Sequence, residues 1–408
     1  MKRHRVIVIG GGPSGITCGY YLSKRGIDYI ILEKHEMLHT WKNERWDSFY
    51  LVTPNWMTYL PGFENEIPYN NEYMSKAEIL NILERYLDYV APKYAENTDI
   101  KSIERVSDLY HVHTNHGVYA CEHIIVASGM YSEPFIPKVA EKVPPGIFQL
   151  HSSDYKSPNQ LKPGNTLVVG SGWSGVQIAL EIKQTLGTEV YLSIGSLSPL
   201  PAVYKNVHGV YWLNRLSGYA DTKKVLHYKS DDFANPNILN KMSQNLVNCQ
   251  KNNVKLIGRL LDVDKCSLVF SENVRSAFTE ANRYLETAKD KIDTLIHDES
   301  IQVSGNEFDL RLDQVDLEKL PGVPRLDLTL DRISNIIWST GFKRNYSYIK
   351  RPIFDDSGLP ILKNHVATSE NITFCGLELE VDRNIKSAFG VGLYAINESS
   401  KRAVDMIP

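Results

Sequence analysis

Short apolar runs that end in glycine dominate the hydrophobic pattern of this chain of 408 residues. Val6–Ile9 is followed directly by a glycine-rich turn, and Thr166–Val169 is followed by another. Apolar runs of this length, bounded by turn residues, are typical of buried parallel strands. The segments after the turns, Pro13–Arg25 and Val176–Leu186, carry apolar residues at helical spacing. The pattern predicts two βαβ units and hence an α/β fold with parallel sheets.

Both strand-to-helix turns fit the dinucleotide-binding fingerprint, in Gly10–Gly15 and again in Gly170–Gly175. Its first glycine makes the tight turn, its second lets the backbone approach a pyrophosphate, and its third lets the helix pack closely. The helix N-terminus then faces the phosphates. Two such turns predict two bound dinucleotides and electron transfer between them. The expected contacts are Gly10, Gly12, Pro13, Ser14 and Gly15 at the first turn, and Gly170, Gly172, Trp173, Ser174 and Gly175 at the second.

An acidic residue indicates which nucleotide the first turn binds. The predicted strand Tyr29–Leu32 ends at Glu33, close to the spacing from the glycines at which a carboxylate binds a ribose 2′-hydroxyl. Because that carboxylate repels a 2′-phosphate, the first site is predicted to take FAD or NAD and not NADP.

The second site lacks such a residue. After the predicted strand Val190–Ile194 the chain continues with Gly195–Ser198, which contains neither the acid that favours NAD nor the arginine that favours NADP. The hydroxyls of Ser193 and Ser196 could bind a ribose or a phosphate, and Lys205 could supply positive charge. NADPH is the expected coenzyme, with NADH as the alternative.

Composition excludes several classes of partner and site. A net charge of −3 provides no basic surface for nucleic acid. No stretch reaches the roughly 20 apolar residues that a membrane-spanning helix needs, and the basic first five residues precede a strand instead of a signal sequence. The five cysteines are scattered and form no Cys-x-x-Cys pair, which argues against zinc and against a dithiol reductase. We expect a cytoplasmic protein without a metal, in which His111, His113 and His116 belong to a half-exposed strand.

The order of the predicted elements gives a domain organisation. Residues 1–155 and 330–408 form a discontinuous FAD domain, and residues 156–329 form an NAD(P) domain. A mostly helical insertion is predicted over residues 215–325. Ile124–Gly129 and Ile336–Phe342 are apolar strands that end in small residues, and they resemble the segments at which two-dinucleotide flavoproteins cross between domains.

Taken together, these turns and crossings resemble the class B flavin-dependent monooxygenases, which include flavin-containing, Baeyer–Villiger and N-hydroxylating enzymes. Arg45–Phe49, Leu51–Trp56 and Leu60–Gly62 are further similar to a small bacterial subgroup with nitrosuccinate-forming amino-acid N-monooxygenases. The resemblance implies that Asn55 lies near the flavin C4a. It also implies cofactor contacts from Lys34, Trp41, Trp46, Thr53, Ser128, Gly129, Thr340, Gly341, Phe389 and Gly390.

One family fingerprint is altered here. Gly146–Tyr155 is similar to the motif that links the two domains, but its glycine-to-histidine gap is one residue longer and its leading phenylalanine is absent. We therefore interpret His151 and Tyr155 as residues that couple the domains and not as chemical groups. Near the C-terminus, Ser387–Gly392 precedes a predicted helix over Leu393–Ala403, whose N-terminus is expected to face the flavin.

The resemblance implies an enzyme that consumes NADPH or NADH and O2 and works through a flavin C4a-(hydro)peroxide. N-oxygenation of a small amine or amino acid is favoured, with S-oxygenation of a thioether beside it. Baeyer–Villiger oxygenation of a ketone is the alternative, and a non-oxygenating flavin reductase or flavin-binding interaction protein is the alternative of another class. Arg45, Lys205 and Arg383 are the candidates to hold a charged substrate, and a homodimer is left open.

Overall fold

A computed structural model describes most of the chain. The described residues are 1–195, 197, 203–216, 226–229, 232, 238, 246–272, 274–303, 315–356, 358, 360–361, 371–376 and 393–408. The predicted contacts Ser196, Phe389 and Gly390, and the candidate Arg383, lie outside these residues.

The elements of the first part of the chain begin with the predicted βαβ unit. In chain order they are β1 (Lys2–Arg3), β2 (Val6–Ile9), α1 (Pro13–Lys24), β3 (Tyr29–Leu32), α2 (His39–Asn43), α3 (Lys76–Val90), β4 (Tyr94–Ala95), β5 (Ile100–Val106), β6 (Leu109–Thr114), β7 (Gly117–Cys121), β8 (His123–Val126), β9 (Glu133–Pro134) and β10 (Phe148–His151). A single turn of 3-10 helix covers Asn55–Met57.

The second βαβ unit opens the rest of the chain. The described elements are β11 (Asn165–Val169), α4 (Trp173–Leu186), β12 (Val190–Ser193), β13 (Val203–Tyr204), β14 (Val207–His208), α5 (Gly209–Leu216), α6 (Leu246–Lys251), β15 (Lys255–Ile257), β16 (Leu260–Asp264), β17 (Ser267–Phe270), α7 (Val274–Asp298), β18 (Arg325–Asp327), β19 (Ile333–Trp338), β20 (Phe342–Lys343), β21 (Ile372–Phe374) and α8 (Leu393–Asp405). None of the helices in this described part is long and apolar enough to cross a membrane.

Two five-stranded sheets with equivalent strand orders form the centre of the molecule. The first runs β21-β8-β2-β3-β4 and the second runs β10-β19-β11-β12-β15. All of their pairings are parallel. The α/β fold with two dinucleotide-binding units is therefore confirmed.

Strand β2 shows why its sequence is apolar at every position. Its four residues are fully or almost fully buried. Val6 and Val8 join the hydrophobic core that contains Ile16 and Leu22 of α1, whereas Ile7 and Ile9 join a second core on the opposite face of the sheet. Because successive side chains of a strand point to opposite faces, a strand covered on both sides needs an unbroken apolar run.

The two sheets are joined by chain crossings that lie side by side. Strand β9, after the first crossing, pairs with β20, after the second, in a short antiparallel ladder. The Phe135 amide also donates a hydrogen bond of 2.9 Å to the Gly341 carbonyl. Both connections between the two halves of the protein therefore pass through one place.

Two details of the predicted organisation differ from the sheets formed by the described residues. Strands β10 and β19 both belong to the second sheet, so the domain boundaries predicted at 155 and 330 do not coincide with the sheets. The insertion predicted as mostly helical over 215–325 contains helices α6 and α7, but β15 extends the second sheet. Strands β16, β17 and β18 form an antiparallel sheet of their own. The short alternating runs of these strands lie between polar turns, and we overlooked them.

Candidate functional site

The first glycine turn has the backbone geometry that a pyrophosphate site requires. Gly10 has φ +109°, and a Cβ on it would lie 2.6 Å from the Ala127 carbonyl oxygen. A Cβ on Gly15 would lie 2.0 Å from the Gly10 carbonyl oxygen, so both positions exclude a side chain. At Gly12, by contrast, no heavy atom of the residues that the structure describes lies within 4 Å of such a Cβ. The N-terminus of α1 begins at this open point without a side-chain cap, which fits the phosphates of FAD.

Glu33 completes the first site at the end of β3. Its carboxylate accepts hydrogen bonds from the Gly11 amide at 2.6 Å and from the His35 amide at 2.8 Å. These bonds fix the side chain beside the glycine turn, where a ribose hydroxyl would approach. Glu33 and the exposed Lys34 both line the cavity described below.

The second turn repeats the first almost atom for atom. Gly170 has φ +111°, and a Cβ on it would lie 2.2 Å from the Ser339 carbonyl oxygen. A Cβ on Gly175 would lie 1.9 Å from the Gly170 carbonyl oxygen, whereas one on Gly172 would meet no atom of the described chain within 4 Å. Helix α4 starts at Gly172, again without a side-chain cap. The residues therefore fit the pyrophosphate of a second nucleotide.

One cavity of about 680 Å³ connects the two turns. It is lined by Ser14 at the start of α1 and by Trp173 and Ser174 at the start of α4. Of the predicted cofactor contacts, the cavity also touches Gly10, Gly12, Pro13, Glu33, Lys34, Trp41, Trp46, Thr53, Ser128 and Gly129. The two glycine turns are about 160 residues apart in the chain. The fold brings the two nucleotide sites that they indicate to one cavity.

Several predicted contacts do not line this cavity: Gly15, Asn55, Gly170, Gly172, Gly175, Ser193, Thr340 and Gly341. Gly15, Gly170 and Gly175 allow close packing within the turns, and Gly172 leaves open space beside the second turn. Thr340 instead donates its hydroxyl to the Phe135 carbonyl, and Gly341 accepts from Phe135, so these two residues hold the crossings together.

Asn55, the predicted catalytic residue, is buried in the 3-10 turn. Its Nδ2 donates to Asn70 Oδ1 at 2.8 Å. Its Oδ1 is buried and has no hydrogen-bond partner among the described residues. The side chain thus retains one unused acceptor, and its predicted role near the flavin stays a prediction.

The hydroxyl of Ser193 is engaged within the protein, and its predicted contact with the nucleotide stays a prediction. Its buried hydroxyl donates to the Gly258 carbonyl at 3.0 Å and accepts from the Leu260 amide at 3.0 Å. The hydroxyl therefore acts as both donor and acceptor, and it joins β12 to the chain after β15. Lys205, the predicted source of charge, pairs at 3.8 Å with Asp293 of α7.

An arginine that we did not predict lies at the end of β12. Arg259 follows β15, the neighbour of β12 in the sheet, and its Nη2 donates to the Gly195 carbonyl at 2.8 Å. Its side chain is exposed, and no carboxylate lies within 4 Å of it in the described part of the chain. Parallel strands end at the same edge of a sheet, so a residue 64 positions away reaches the place where the motif puts its own arginine.

His151 couples the two crossings, in agreement with its predicted role. Its Nδ1 accepts from the Ser153 amide at 3.2 Å, so Nε2 carries the proton and donates to the Gly341 carbonyl at 2.9 Å. Burial lowers the pKa of this imidazole. The Tyr155 hydroxyl donates to Glu181 Oε2 at 2.8 Å and so ties the same segment to α4.

The fold brings two cysteines together that the sequence spacing did not connect. Cys18 of α1 and Cys375 after β21 are both buried, with their sulfur atoms 3.6 Å apart. The hydrogen bond between Cys375 and Cys18, together with burial, raises the pKa of the Cys375 thiol. Because thiolate is the reactive form, this environment favours a packing role. Neither cysteine lines the cavity.

Comparison with known proteins agrees with this geometry. Residues 7–228, more than half of the chain, match the model of the pyridine nucleotide-disulphide oxidoreductase family. An uncharacterized oxidoreductase CzcO-like of Geobacillus kaustophilus is 28% identical over 403 residues, which cover 96% of this chain and 97% of the relative. A probable indole-3-pyruvate monooxygenase, YUCCA1 of Arabidopsis thaliana, is 33% identical over 184 residues, or 44% of each chain.

The solved structures extend the similarity to the whole fold. A flavin-containing monooxygenase from Stenotrophomonas maltophilia superposes with a TM-score of 0.65 at 18% identity, covering 100% of this chain and 98% of the other. These findings support the predicted class B flavin-dependent monooxygenase but not the finer nitrosuccinate-forming subgroup. The chain belongs to the pyridine nucleotide-disulphide oxidoreductase family and is a flavin-dependent enzyme that uses FAD and a pyridine nucleotide.

Proposed function

We propose that this protein is an FAD-dependent monooxygenase that consumes NADPH and O2 and oxygenates the nitrogen of a small amine or amino acid, or the sulfur of a thioether. The observation that carries the proposal is the single cavity that touches both helix N-termini. Bound FAD supplies the transfer of two electrons and the activation of O2, while the protein supplies binding, orientation and exclusion of water.

Orientation of the two nucleotides depends on contacts between the domains. Gln177 of α4 lines the cavity, and its side chain exchanges hydrogen bonds of 3.5 and 3.4 Å with the backbone of Tyr50. The Asp47 amide also donates to the Lys156 carbonyl at 2.9 Å. These contacts fix α4 against the segment after α2, so each nucleotide approaches the other at a set position.

Aromatic side chains provide the exclusion of water. Two of them, Tyr131 and Phe342, follow the crossings and stack edge to face with their centroids 5.0 Å apart. Trp46 is buried and packs edge to face on Phe49 at 5.1 Å. An apolar wall of this kind keeps bulk water from a reactive centre. It lines the cavity through Trp41, Trp46, Phe49, Tyr131 and Phe342.

Arg259 supports NADPH as the coenzyme. A guanidinium beside the end of β12 can bind the 2′-phosphate of NADPH through paired hydrogen bonds. NADH has no 2′-phosphate. The choice of substrate atom is supported only by the resemblance of residues 45–62 to the N-oxygenating subgroup. Baeyer–Villiger oxygenation is the second candidate. A dithiol reductase is disfavoured because no cysteine is among the cavity-lining residues of the described chain.

The test uses the purified flavoprotein. It is mixed with NADPH or NADH, first without and then with O2, and the flavin absorbance is followed. Amines, amino acids, thioethers and ketones are then supplied under ¹⁸O2, and the products are analysed by mass spectrometry. We expect NADPH to reduce the flavin faster than NADH, and one heavy oxygen atom to enter an amine, amino acid or thioether.

Two results would contradict the proposal. If neither nucleotide reduces the flavin, the redox assignment fails altogether. If the flavin is reduced but the heavy atom enters only ketones, the enzyme is a Baeyer–Villiger oxygenase. Oligomeric state, which light scattering would measure on the same sample, stays a prediction.

A further inference from the structure

Arg45 lies in the cavity with its guanidinium surrounded by three aromatic rings. The guanidinium carbon is 4.8 Å from the ring centroid of Tyr131, 5.6 Å from that of Trp41 and 5.7 Å from that of Phe49. Cation–π attraction at these distances holds the side chain in one place. Its backbone is fixed as well, because Lys76 Nζ donates to the Arg45 carbonyl at 2.9 Å.

No carboxylate of the described chain contacts the guanidinium of Arg45, and Glu44 acts on it only from a longer distance. Among the described residues, no carboxylate oxygen lies within 4 Å of its guanidinium. The acids beside it in the chain have other partners, since Glu44 lies 3.9 Å from His39 Nε2 and Asp47 lies 4.0 Å from Lys76 Nζ. Its one hydrogen bond is from Nη1 to the Glu44 carbonyl at 3.3 Å. Four of the five guanidinium N–H groups therefore have no partner in the described chain.

Burial of this charge carries a cost that the three rings and the charge of Glu44 offset only in part. Desolvation lowers the pKa of Arg45, yet an arginine remains protonated at neutral pH. A half-buried cation without a partner is destabilising, and such groups are characteristic of ligand sites. The guanidinium geometry matches the two oxygens of a carboxylate or phosphate.

Arg45 belongs to neither glycine turn, but it lines the cavity that touches the N-termini of both following helices. Each pyrophosphate has its own open glycine, Gly12 or Gly172, at its own helix N-terminus. Arg45 instead lies beside Tyr131, after the first crossing, and beside Phe49, which precedes the contact of Tyr50 with Gln177. This is the part of the cavity where the first domain meets α4.

We propose that Arg45 binds an oxyanion of a ligand held in this cavity, either a carboxylate of the substrate or a phosphate of a dinucleotide. The carboxylate source rests on the proposed function, because only an oxygenase of carboxylated substrates would need it. The phosphate source requires only that FAD and NADP bind. In both cases the ligand supplies an anion in direct contact with the guanidinium, which no carboxylate of the described chain provides.

The test compares the flavoprotein with the variants Arg45→Gln and Arg45→Lys. Arg105→Gln is the matched control, because Arg105 also lies over a tyrosine ring, Tyr110 at 5.8 Å, and has one backbone hydrogen bond of 3.3 Å, but lies outside the cavity. Binding of NADP⁺ and of succinate is titrated through the flavin absorbance, with dimethyl succinate as the uncharged probe. Retention of FAD is measured by the flavin content after dilution and filtration.

We expect Arg45→Gln to weaken at least one of these ligands about tenfold or more, with smaller losses in Arg45→Lys and none in Arg105→Gln. Loss of succinate binding alone identifies the carboxylate source, and loss of NADP⁺ or FAD identifies a phosphate source. If all three ligands bind Arg45→Gln as tightly as the parent protein, the proposal is overturned. A lower melting temperature of Arg45→Gln with unchanged ligand binding would also overturn the proposal, because it would show that Arg45 serves only in packing. Since these titrations require no turnover, their outcome is independent of the oxygenase assay.

Discussion

Nη2 of Arg259 donates a hydrogen bond of 2.8 Å to the carbonyl of Gly195, the residue at which the second strand of the NAD(P) unit gives way to a loop. This contact supplies from a neighbouring strand the cation that the loop itself lacks. It therefore identifies the residue on which selectivity for NADPH is expected to depend.

Replacement of Arg259 by glutamine is expected to weaken NADP⁺ binding roughly 10- to 100-fold, because a hydrogen bond to a charged group contributes about 1.5–3 kcal/mol. Binding of NAD⁺ should change little. The same contrast is measurable by calorimetry with 2′,5′-ADP against 5′-AMP, which lacks only the 2′-phosphate. Arg325→Gln is the control, because Arg325 is also exposed but is paired with Asp264 at 2.6 Å. Equal losses of affinity for NADP⁺ and NAD⁺ would show that Arg259 does not bind the 2′-phosphate.

The two open glycines allow the nucleotide sites to be disabled one at a time. Gly12→Ala is expected to fold, since no atom of the described residues opposes the new methyl group, but to be purified with less FAD. Gly172→Ala is expected to keep its FAD and to bind NADP⁺ at least tenfold more weakly. Flavin content and NADP⁺ titration measure the two effects.

Gly15→Ala and Gly175→Ala are the contrasting variants, because their new methyl groups would lie 2.0 and 1.9 Å from carbonyl oxygens. These two changes should lower the melting temperature in the absence of any ligand, as clashes against backbone in a packed turn do. If Gly12→Ala and Gly15→Ala have the same flavin content and melting temperature, the distinction between the open Gly12 and the closed Gly15 is wrong.

Buried His208 predicts a loss of stability in acid. Burial lowers the pKa of this imidazole from its ordinary value to about 3, and its Nδ1 accepts from the Val210 amide at 3.2 Å. The unfolded chain binds the proton near pH 6.5, so the stabilising contribution is complete above that pH and is lost as the pH falls toward 3. His208→Asn can keep the acceptor without the titration. Its melting temperature should fall less steeply between pH 6.5 and 4 than that of the parent protein.

Cysteine reactivity gives a check on the packing of the core. Cys266 is exposed, whereas Cys18, Cys121, Cys249 and Cys375 are buried. Burial raises the pKa of the Cys121 thiol to about 12. One equivalent of an aromatic disulfide reagent should therefore react with the folded protein, and the other four only in denaturant. Cys266→Ser should abolish the fast reaction; rapid modification of a second thiol would place one of the buried sulfurs at the surface.

The features predictable from the sequence are those that depend on residues close together in the chain. Both glycine turns, Glu33 and the helix at Lys76–Val90 follow from local rules, and that helix begins where Ser75 and Glu78 form a capping box. The helix ends at Val90, where Ala91 adopts the left-handed conformation before Pro92.

The features that escaped prediction depend on long-range pairing. Arg259 reaches Gly195 only because β15 lies beside β12. The hydrogen bonds of Ser193 to Gly258 and Leu260 join residues more than 60 positions apart, so the sequence around Ser193 does not reveal them. Cys18 and Cys375 likewise meet only once β21 has joined the first sheet.

The pairing of β21 with β8 sets the order in which the protein can fold as it is synthesised. All five strands of the second sheet have been made by Trp338, whereas the first sheet is incomplete until Ile372–Phe374 follow. Helix α8, which packs on α1, is made later still. The domain that begins the chain is thus completed last, and a ribosome must finish the inner domain before the outer one can close around its first helix.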